Sequence, residues 1–368
     1  MQPSVPPPGA TKNDIDTPAL CIDLDKFDAN IQTMAAKCRQ RGIDWRPHSK
    51  CHKSPIIARK LMMAGAIGVT CAKLGEAEVM GAAGIRDVLI ANLIVGTAKM
   101  QRLVALRRIA DPVVCVDHVE HVKELGAAMA RAGLTLRVLV EVDIGMSRVG
   151  VLPGEPTLQL AQQVAQTPGL QLAGLMGYEG HLLLVEDSRE KDDRIREAIG
   201  RLLATKELLV QHGLPCDIVS CGGTGSYRTT LECPGVTELQ AGGAVFMDVF
   251  YRERCRVDEF DYALTVLSTV VSRPAPDRAV IDAGRKTMNM ELSLPRVLNR
   301  SDIEVMNLSA EHGLLRLEPS AQSLAIGDRL EFIPGYGDFT TVLHGRFYAF
   351  RGDRLEGVWP LEARGRVD

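Results

Sequence analysis

The chain has 368 residues, a net charge of −3 and a hydrophobic content of 46%, enough to bury one large core and a smaller second one. The small net charge and an aromatic content of only 4% exclude a general attraction to nucleic acid or anionic membrane, and a base-stacking surface. Apolar runs such as Val88–Ala91 and Leu93–Val95 are far too short to cross a bilayer. The nine cysteines are scattered, without a Cys-x-x-Cys pair. That pattern speaks against a disulfide framework and for a reducing, cytoplasmic setting.

Residues 1–14 are rich in proline and are expected to form a flexible leader. Residues 15–30 contain a strand near Ala19–Asp23, assigned to a β domain that lies later in the chain. From residue 31 to 250 short apolar strands alternate with helical segments. The first four strands are expected at Ile43–Trp45, Gly68–Cys71, Val88–Ala91 and Val113–Asp117. Four more follow at Leu136–Asp143, Leu172–Tyr178, Asp217–Ser220 and Thr237–Gln240. Between strands, Pro55–Gly65 and Asp193–His212 repeat apolar residues at helical spacing. Eight such alternations, each too apolar to leave one sheet face wet, predict a closed eight-stranded (β/α) barrel. From 251 to 368 the texture changes. Ala263–Val271, Arg278–Asp282, Glu304–Leu308, Gly313–Leu317, Arg329–Ile333, Thr341–Phe350 and Leu355–Pro360 read as strands with no clear helix between them. This predicts a C-terminal all-β domain.

A (β/α) barrel carries its chemistry at the C-terminal ends of its strands. The first such end reads Arg46-Pro47-His48-Ser49-Lys50-Cys51-His52-Lys53. A lysine there can lose its proton by desolvation and act as a Schiff-base nucleophile, although a lone loop lysine is usually just solvated. After the seventh strand comes Cys221-Gly222-Gly223-Thr224-Gly225-Ser226, and after the eighth Gln240-Ala241-Gly242-Gly243. Glycines let backbone N–H groups approach a phosphate closely, and Thr224 and Ser226 add hydroxyls. Loops after the last two strands are the usual phosphate site of such barrels. After the fifth strand, Glu141 to Gly150 includes Arg148, either a donor to a pyridine nitrogen or a partner of Glu141 or Asp143. Tyr178, ending the sixth strand, either lines the same site or is a plain rim residue.

Taken together, these blocks resemble the D-threonine aldolase and D-serine dehydratase family of alanine-racemase-like (fold type III) enzymes that use pyridoxal 5′-phosphate (PLP). Further matching blocks are Asp16-Thr17-Pro18, Thr237-Glu238-Leu239, Asp282-Ala283-Gly284, Glu311-His312-Gly313 and Val358-Trp359-Pro360. The resemblance implies PLP carried on Lys50, with Arg148 at the pyridine nitrogen and His48 and Tyr178 beside the cofactor. It implies a phosphate cradle of Gly223, Thr224, Gly225, Ser226, Gln240, Gly242 and Gly243. It also implies an amino acid substrate and a head-to-tail homodimer.

Two departures bear on the reaction. Family members hold a divalent metal (manganese, magnesium or zinc) on a His-x-Asp or His-x-Cys pair, but here the stretch reads Pro334-Gly335-Tyr336-Gly337-Asp338. Tyr336 stands where the histidine would be, and a neutral phenol is a poor ligand for hard ions. Asp338 would then be a lone carboxylate facing a substrate hydroxyl or ammonium. Family aldolases also carry a histidine several residues beyond the tyrosine, where this chain has Leu184. His181 or Glu179 could replace that base, and His312 is a further candidate. Family aldolases tend to carry aspartate at the position of Asp338 and dehydratases cysteine, so the resemblance implies retro-aldol cleavage of a D-β-hydroxy amino acid to glycine and an aldehyde. A D-serine-dehydratase-like deamination, a racemase or epimerase, and a non-catalytic PLP carrier are the alternatives.

Overall fold

The computed structural model describes residues 6–368 and divides the chain into two units. One comprises Met34–Gly242 with Gly365–Asp368; the other comprises the segment ending at Thr33 with Gly243–Arg364. Strand β1 (Ala19–Asp23) belongs to the second unit, and the division falls within helix α1 (Leu24–Arg41).

In the first unit β2 (Asp44–Trp45), α2 (Pro55–Met63), β3 (Val69–Cys71), α3 (Leu74–Ala82) and β4 (Asp87–Leu93) follow in strict alternation. The pattern continues with α4 (Thr97–Ile109), β5 (Asp111–Val116), α5 (Val119–Ala132), β6 (Leu136–Glu141), α6 (Glu155–Gln166) and β7 (Leu170–Met176). It ends with α7 (Ser188–Gln211), β8 (Ile218–Cys221), α8 (Tyr227–Thr230) and β9 (Glu238–Leu239). The strands are parallel in the order β2-β9-β8-β7-β6-β5-β4-β3. The ends of this sheet meet, because Ile67 N–H donates to Trp45 O at 3.0 Å and Thr70 N–H to Pro47 O at 2.9 Å. All eight expected strands are present. They read as near-continuous apolar runs because both faces are covered: Val138, Leu139 and Val140 on β6 are all 0% exposed. Local chemistry fixes the helix ends. The imidazole of His118 accepts Glu120 N–H at the start of α5, and Gly133, at φ 64°, ends it in the left-handed conformation.

Arg46, just past β2, is 2% exposed and lies inside the barrel. It donates to both carboxylate oxygens of Glu238 on β9, at 3.0 and 2.7 Å, and pairs with Asp87 of β4 at 3.0 Å. Asp87 also receives Arg137 of β6 at 2.8 Å. A polar layer thus crosses the barrel interior with its charges compensated.

The second unit is built from β1 and β10 (Leu264–Ala275), β11 (Arg278–Ile281), β12 (Arg296–Val297), β13 (Ile303–Leu308) and β14 (Gly313–Leu317). It is completed by β15 (Arg329–Ile333), the short helix α9 (Gly337–Thr341), β16 (Arg346–Arg351) and β17 (Arg354–Pro360). The main path of its sheet is β13-β14-β11-β10-β1-β16-β17, and β15 pairs with β10 and β12. Strand β1 lies between β10 and β16, with Cys21 opposite Thr265 and Tyr348.

Two expectations need correction in this unit. Thr341 ends a helix rather than starting a strand, because Asp338 enters the first turn and Thr340 N–H returns to Tyr336 O at 3.2 Å. The proline-rich segment, for its part, is tied down where it is described. Gly9 N–H donates to Leu355 O at 2.8 Å, Leu355 N–H to Ala10 O at 2.8 Å, and Arg329 reaches Ile15 O at 2.6 Å. Residues 1–5 lie outside the described residues.

Candidate active site

The chain leaves β2 through Arg46 and Pro47 into a 3₁₀ turn, Ser49–Cys51, that presents Lys50. The His48 imidazole accepts Lys50 N–H at 3.3 Å and so caps the turn. His48 keeps a partly accessible edge, but its surroundings are dense. Burial, followed by the positive charges of Lys50, Lys53 and Arg148, holds it well below the usual histidine range. The ring is therefore neutral, with Nδ1 acting as acceptor. Of the two lysines here, Lys53 is 7% exposed and committed to a buried ion pair with Glu76, whereas Lys50 stays half-buried.

The second glycine loop packs on this turn. Gly242 presses against the His48 backbone so closely that a Cβ would lie 2.3 Å from His48 O, and His48 N–H donates to Gln240 O at 3.0 Å. The Gln240 side chain donates to Ser220 Oγ at 3.0 Å, joining the ends of β9 and β8. Gly222 takes φ 78°, a conformation that side chains disfavour, and turns the next loop. Gly223 N–H donates to Ser226 Oγ at 3.1 Å, and the Ser226 hydroxyl donates to Glu179. Thr230 adds a second hydroxyl to Glu179 at 3.3 Å. Glu179 is 0% exposed, and burial raises its pKa. It ties the loop down through Ser226 and Thr230. A Cβ on Gly223 would lie 3.3 Å from the Tyr178 hydroxyl.

Across the barrel rim, the Arg148 guanidinium stacks over the Tyr178 ring, 5.6 Å from its centroid, and faces Glu141 Oε1 at 3.6 Å. Burial raises the Glu141 carboxyl to about 7 despite Arg148, and its Oε2 has no hydrogen-bond partner among the described residues. Asp143 shapes this loop by accepting Gly145 N–H and Ser147 N–H, both at 2.9 Å. His181 is exposed in the turn Gly180–Leu182 and overhangs the same loop: a Cβ on Gly145 would meet its Nε2 at 2.9 Å. Lys50, His48, Arg148, Tyr178, His181 and the residues through Gly242 thus all lie at the C-terminal strand ends of one unit.

Gly243, Asp338, Tyr336 and His312 belong to the other unit. Asp338 is buried, 7% exposed, and accepts the Tyr336 hydroxyl at 2.9 Å. His312 is exposed in the β13–β14 hairpin, where its backbone closes a turn with Ser309. Asp248 went unforeseen. It is 2% exposed, accepts Gly337 N–H at 2.7 Å, and burial pushes its carboxyl up to about 8. An acid inside the apolar run Ala244–Phe250 was the one signal the sequence offered.

Comparison with known proteins agrees with this architecture. The family described as alanine racemase, N-terminal domain, matches residues 22–249, and a serine dehydratase domain matches residues 263–350. The chain belongs to the alanine-racemase-like family. Within it, the D-threonine aldolase of Arthrobacter sp is 38% identical over 98% of this chain and 96% of its own length. The 3-hydroxy-D-aspartate aldolase of Paracoccus denitrificans (strain Pd 1222) is 35% identical over 98% and 95%. The crystal structure of D-threonine aldolase from Filomicrobium marinum superposes with a TM-score of 0.95 at 38% identity, covering 99% of this chain and all of that one. An alanine-racemase-like family implies PLP. Among the described residues no helix is long and apolar enough to cross a membrane.

Proposed function

We propose that the chain is a PLP-dependent carbon–carbon lyase that cleaves D-β-hydroxy amino acids to glycine and an aldehyde. The observation that carries this reading is end-to-end similarity to two proteins named as aldolases, covering 98% of the chain in each case. The barrel residues fit the cofactor. Gly242 lets its loop press against the His48 backbone of the turn that carries the partly exposed Lys50, and Gly223 packs tightly on the Tyr178 ring.

When bound, PLP accepts the electron pair left at Cα as the Cα–Cβ bond breaks. Each remaining task falls to a residue of the chain. Lys50 Nζ anchors the cofactor, and neutral His48 orients the turn that carries it. The glycine loops Gly223–Ser226 and Gln240–Gly242 would hold the phosphate. Arg148, a guanidinium donor, would stand at the ring nitrogen and leave it unprotonated. His181 would take the β-hydroxyl proton, and partial burial and Arg194 hold its pKa below the usual histidine value. The protein acts on a small amino acid and works as a homodimer, as the resemblance implies.

The test is product analysis. Purified protein with PLP and D-threonine or D-phenylserine should release glycine and an aldehyde. Ammonia with a keto acid would replace this reading by dehydration. Deuterium exchange at Cα without bond cleavage would replace it by racemisation.

A further inference from the structure

The stretch Pro334-Gly335-Tyr336-Gly337-Asp338 occupies the place where the family resemblance puts a metal-binding histidine and carboxylate. What surrounds these residues is unfavourable to a cation. The Tyr336 hydroxyl donates to Asp338 Oδ2 at 2.9 Å, and both side chains are buried. A phenolic proton therefore stands at a carboxylate oxygen that a hard ion would need. Rings pack round the phenol: Phe250 at 5.3 Å, Tyr251 at 5.9 Å and Phe339 at 4.9 Å between centroids. Tilted and edge-on packing fixes the ring in place; Phe250 and Phe339 carry no ligand atom, and Tyr251 carries only another neutral phenol.

The neighbouring carboxylate is already engaged. Asp248 Oδ1 accepts Tyr251 N–H at 2.8 Å and Oδ2 accepts Gly337 N–H at 2.7 Å. Among the described residues no three histidine, cysteine, aspartate or glutamate side chains gather as a metal-ligand set. A neutral phenol has little affinity for manganese or magnesium, and giving up its proton to one would also break the bond to Asp338.

We infer that this chain binds no divalent metal at Pro334–Asp338, and that Tyr336 is the residue that excludes it, its hydroxyl proton taking the cation's place at Asp338. Carbon–carbon cleavage by this protein then needs no added metal, and activation of the β-hydroxyl rests on side chains alone. The absence of a metal at this site stands independently of the aldolase reading, and its consequence for cleavage rests on that reading.

The experiment uses the full-length chain loaded with PLP, stripped with EDTA and titrated with manganese alone. Free ion is followed by electron paramagnetic resonance, and bound metal by elemental analysis after gel filtration. Wild type should retain no stoichiometric manganese. Tyr336→His puts an imidazole beside Asp338 and should bind one equivalent about 100-fold more tightly than wild type. Adding Asp338→Asn to that variant should abolish the gain. Wild type that keeps one equivalent, lost in Asp338→Asn, overturns the inference, and this arm decides even if Tyr336→His does not fold. A folded Tyr336→His that gains no affinity also overturns it, because the tyrosine is then not what excludes the ion. No substrate enters the measurement, so a failed aldolase assay leaves the result intact.

Discussion

Glu141 and Arg148 face each other across 3.6 Å at the barrel rim, one almost wholly buried and the other about half exposed. Desolvation outweighs the arginine, so the Glu141 carboxyl rises from its ordinary 4.5 to about 7. A carboxyl raised by folding binds its proton more tightly in the native state. Its ionisation therefore withdraws stability as pH climbs from about 4.5 to 7, by roughly 3 kcal/mol at most. Glu141→Gln has no such charge. Denaturant unfolding at pH 5 and pH 8 should show the variant gaining on wild type at the higher pH. Equal pH dependence in the two proteins would mean that the carboxyl titrates normally. Asp117 and Cys115 also feel this carboxylate and are unchanged by the substitution.

Gly242 offers a sharper test of the cofactor cradle. A methyl group there would sit 2.3 Å from His48 O, so Gly242→Ala must push apart the second glycine loop and the turn that presents Lys50. Overpacking of this kind costs about 1–3 kcal/mol. Its effect should appear mainly as PLP affinity weakened about tenfold or more, read from cofactor absorbance titrations. Gly84→Ala is a control with no atom near the new methyl, though its positive φ adds a general strain. If Gly242→Ala binds PLP like wild type, the loop does not border the cofactor.

The barrel interior depends on Arg46 and Glu238, which are 2% and 3% exposed. Arg46→Met strands the Glu238 carboxylate without its bidentate partner, and breaking a buried pair costs about 3–5 kcal/mol. Asp87 suffers less because Arg137 still holds it at 2.8 Å. Replacing both partners, as Arg46→Met with Glu238→Leu, removes the uncompensated charge and should recover most of the loss in urea unfolding. A double variant no better than the single one would show that the arginine contributes packing rather than charge pairing.

Much of this was legible in the sequence, for a physical reason. Parallel strands covered on both faces read as continuous apolar runs, which is why even the two-residue strands β2 and β9 stood out beside the motifs that follow them. The glycine loops were legible because glycine clusters at strand ends mark tight turns and close backbone approach. Interactions between distant segments were not. Asp248 meets Gly337 across 89 positions, and in its own segment it is one acid among apolar neighbours. Glu179 looked like a free base, since nothing nearby in the chain announces Ser226, 47 residues on. Helix α9 was hidden by its own threonines, whose β-branched side chains suggest a strand.

His181 carries the last prediction. Partial burial and the positive charges of Arg194 and Arg201 lower its pKa below 6.5, with Asp143 pulling the other way. Protonation would remove the base, so the acid limb of kcat/KM should lie on the acidic side of that value. Arg194→Gln removes a charge that disfavours the imidazolium and should move the limb to higher pH without abolishing turnover. His181→Ala should lower kcat by about 10² to 10⁴ and erase the limb. A limb that persists unmoved in His181→Ala assigns the base to another group. One that vanishes while Arg194→Gln leaves it in place keeps the base but denies the arginine its influence, since the sign of the shift follows directly from which charge was removed.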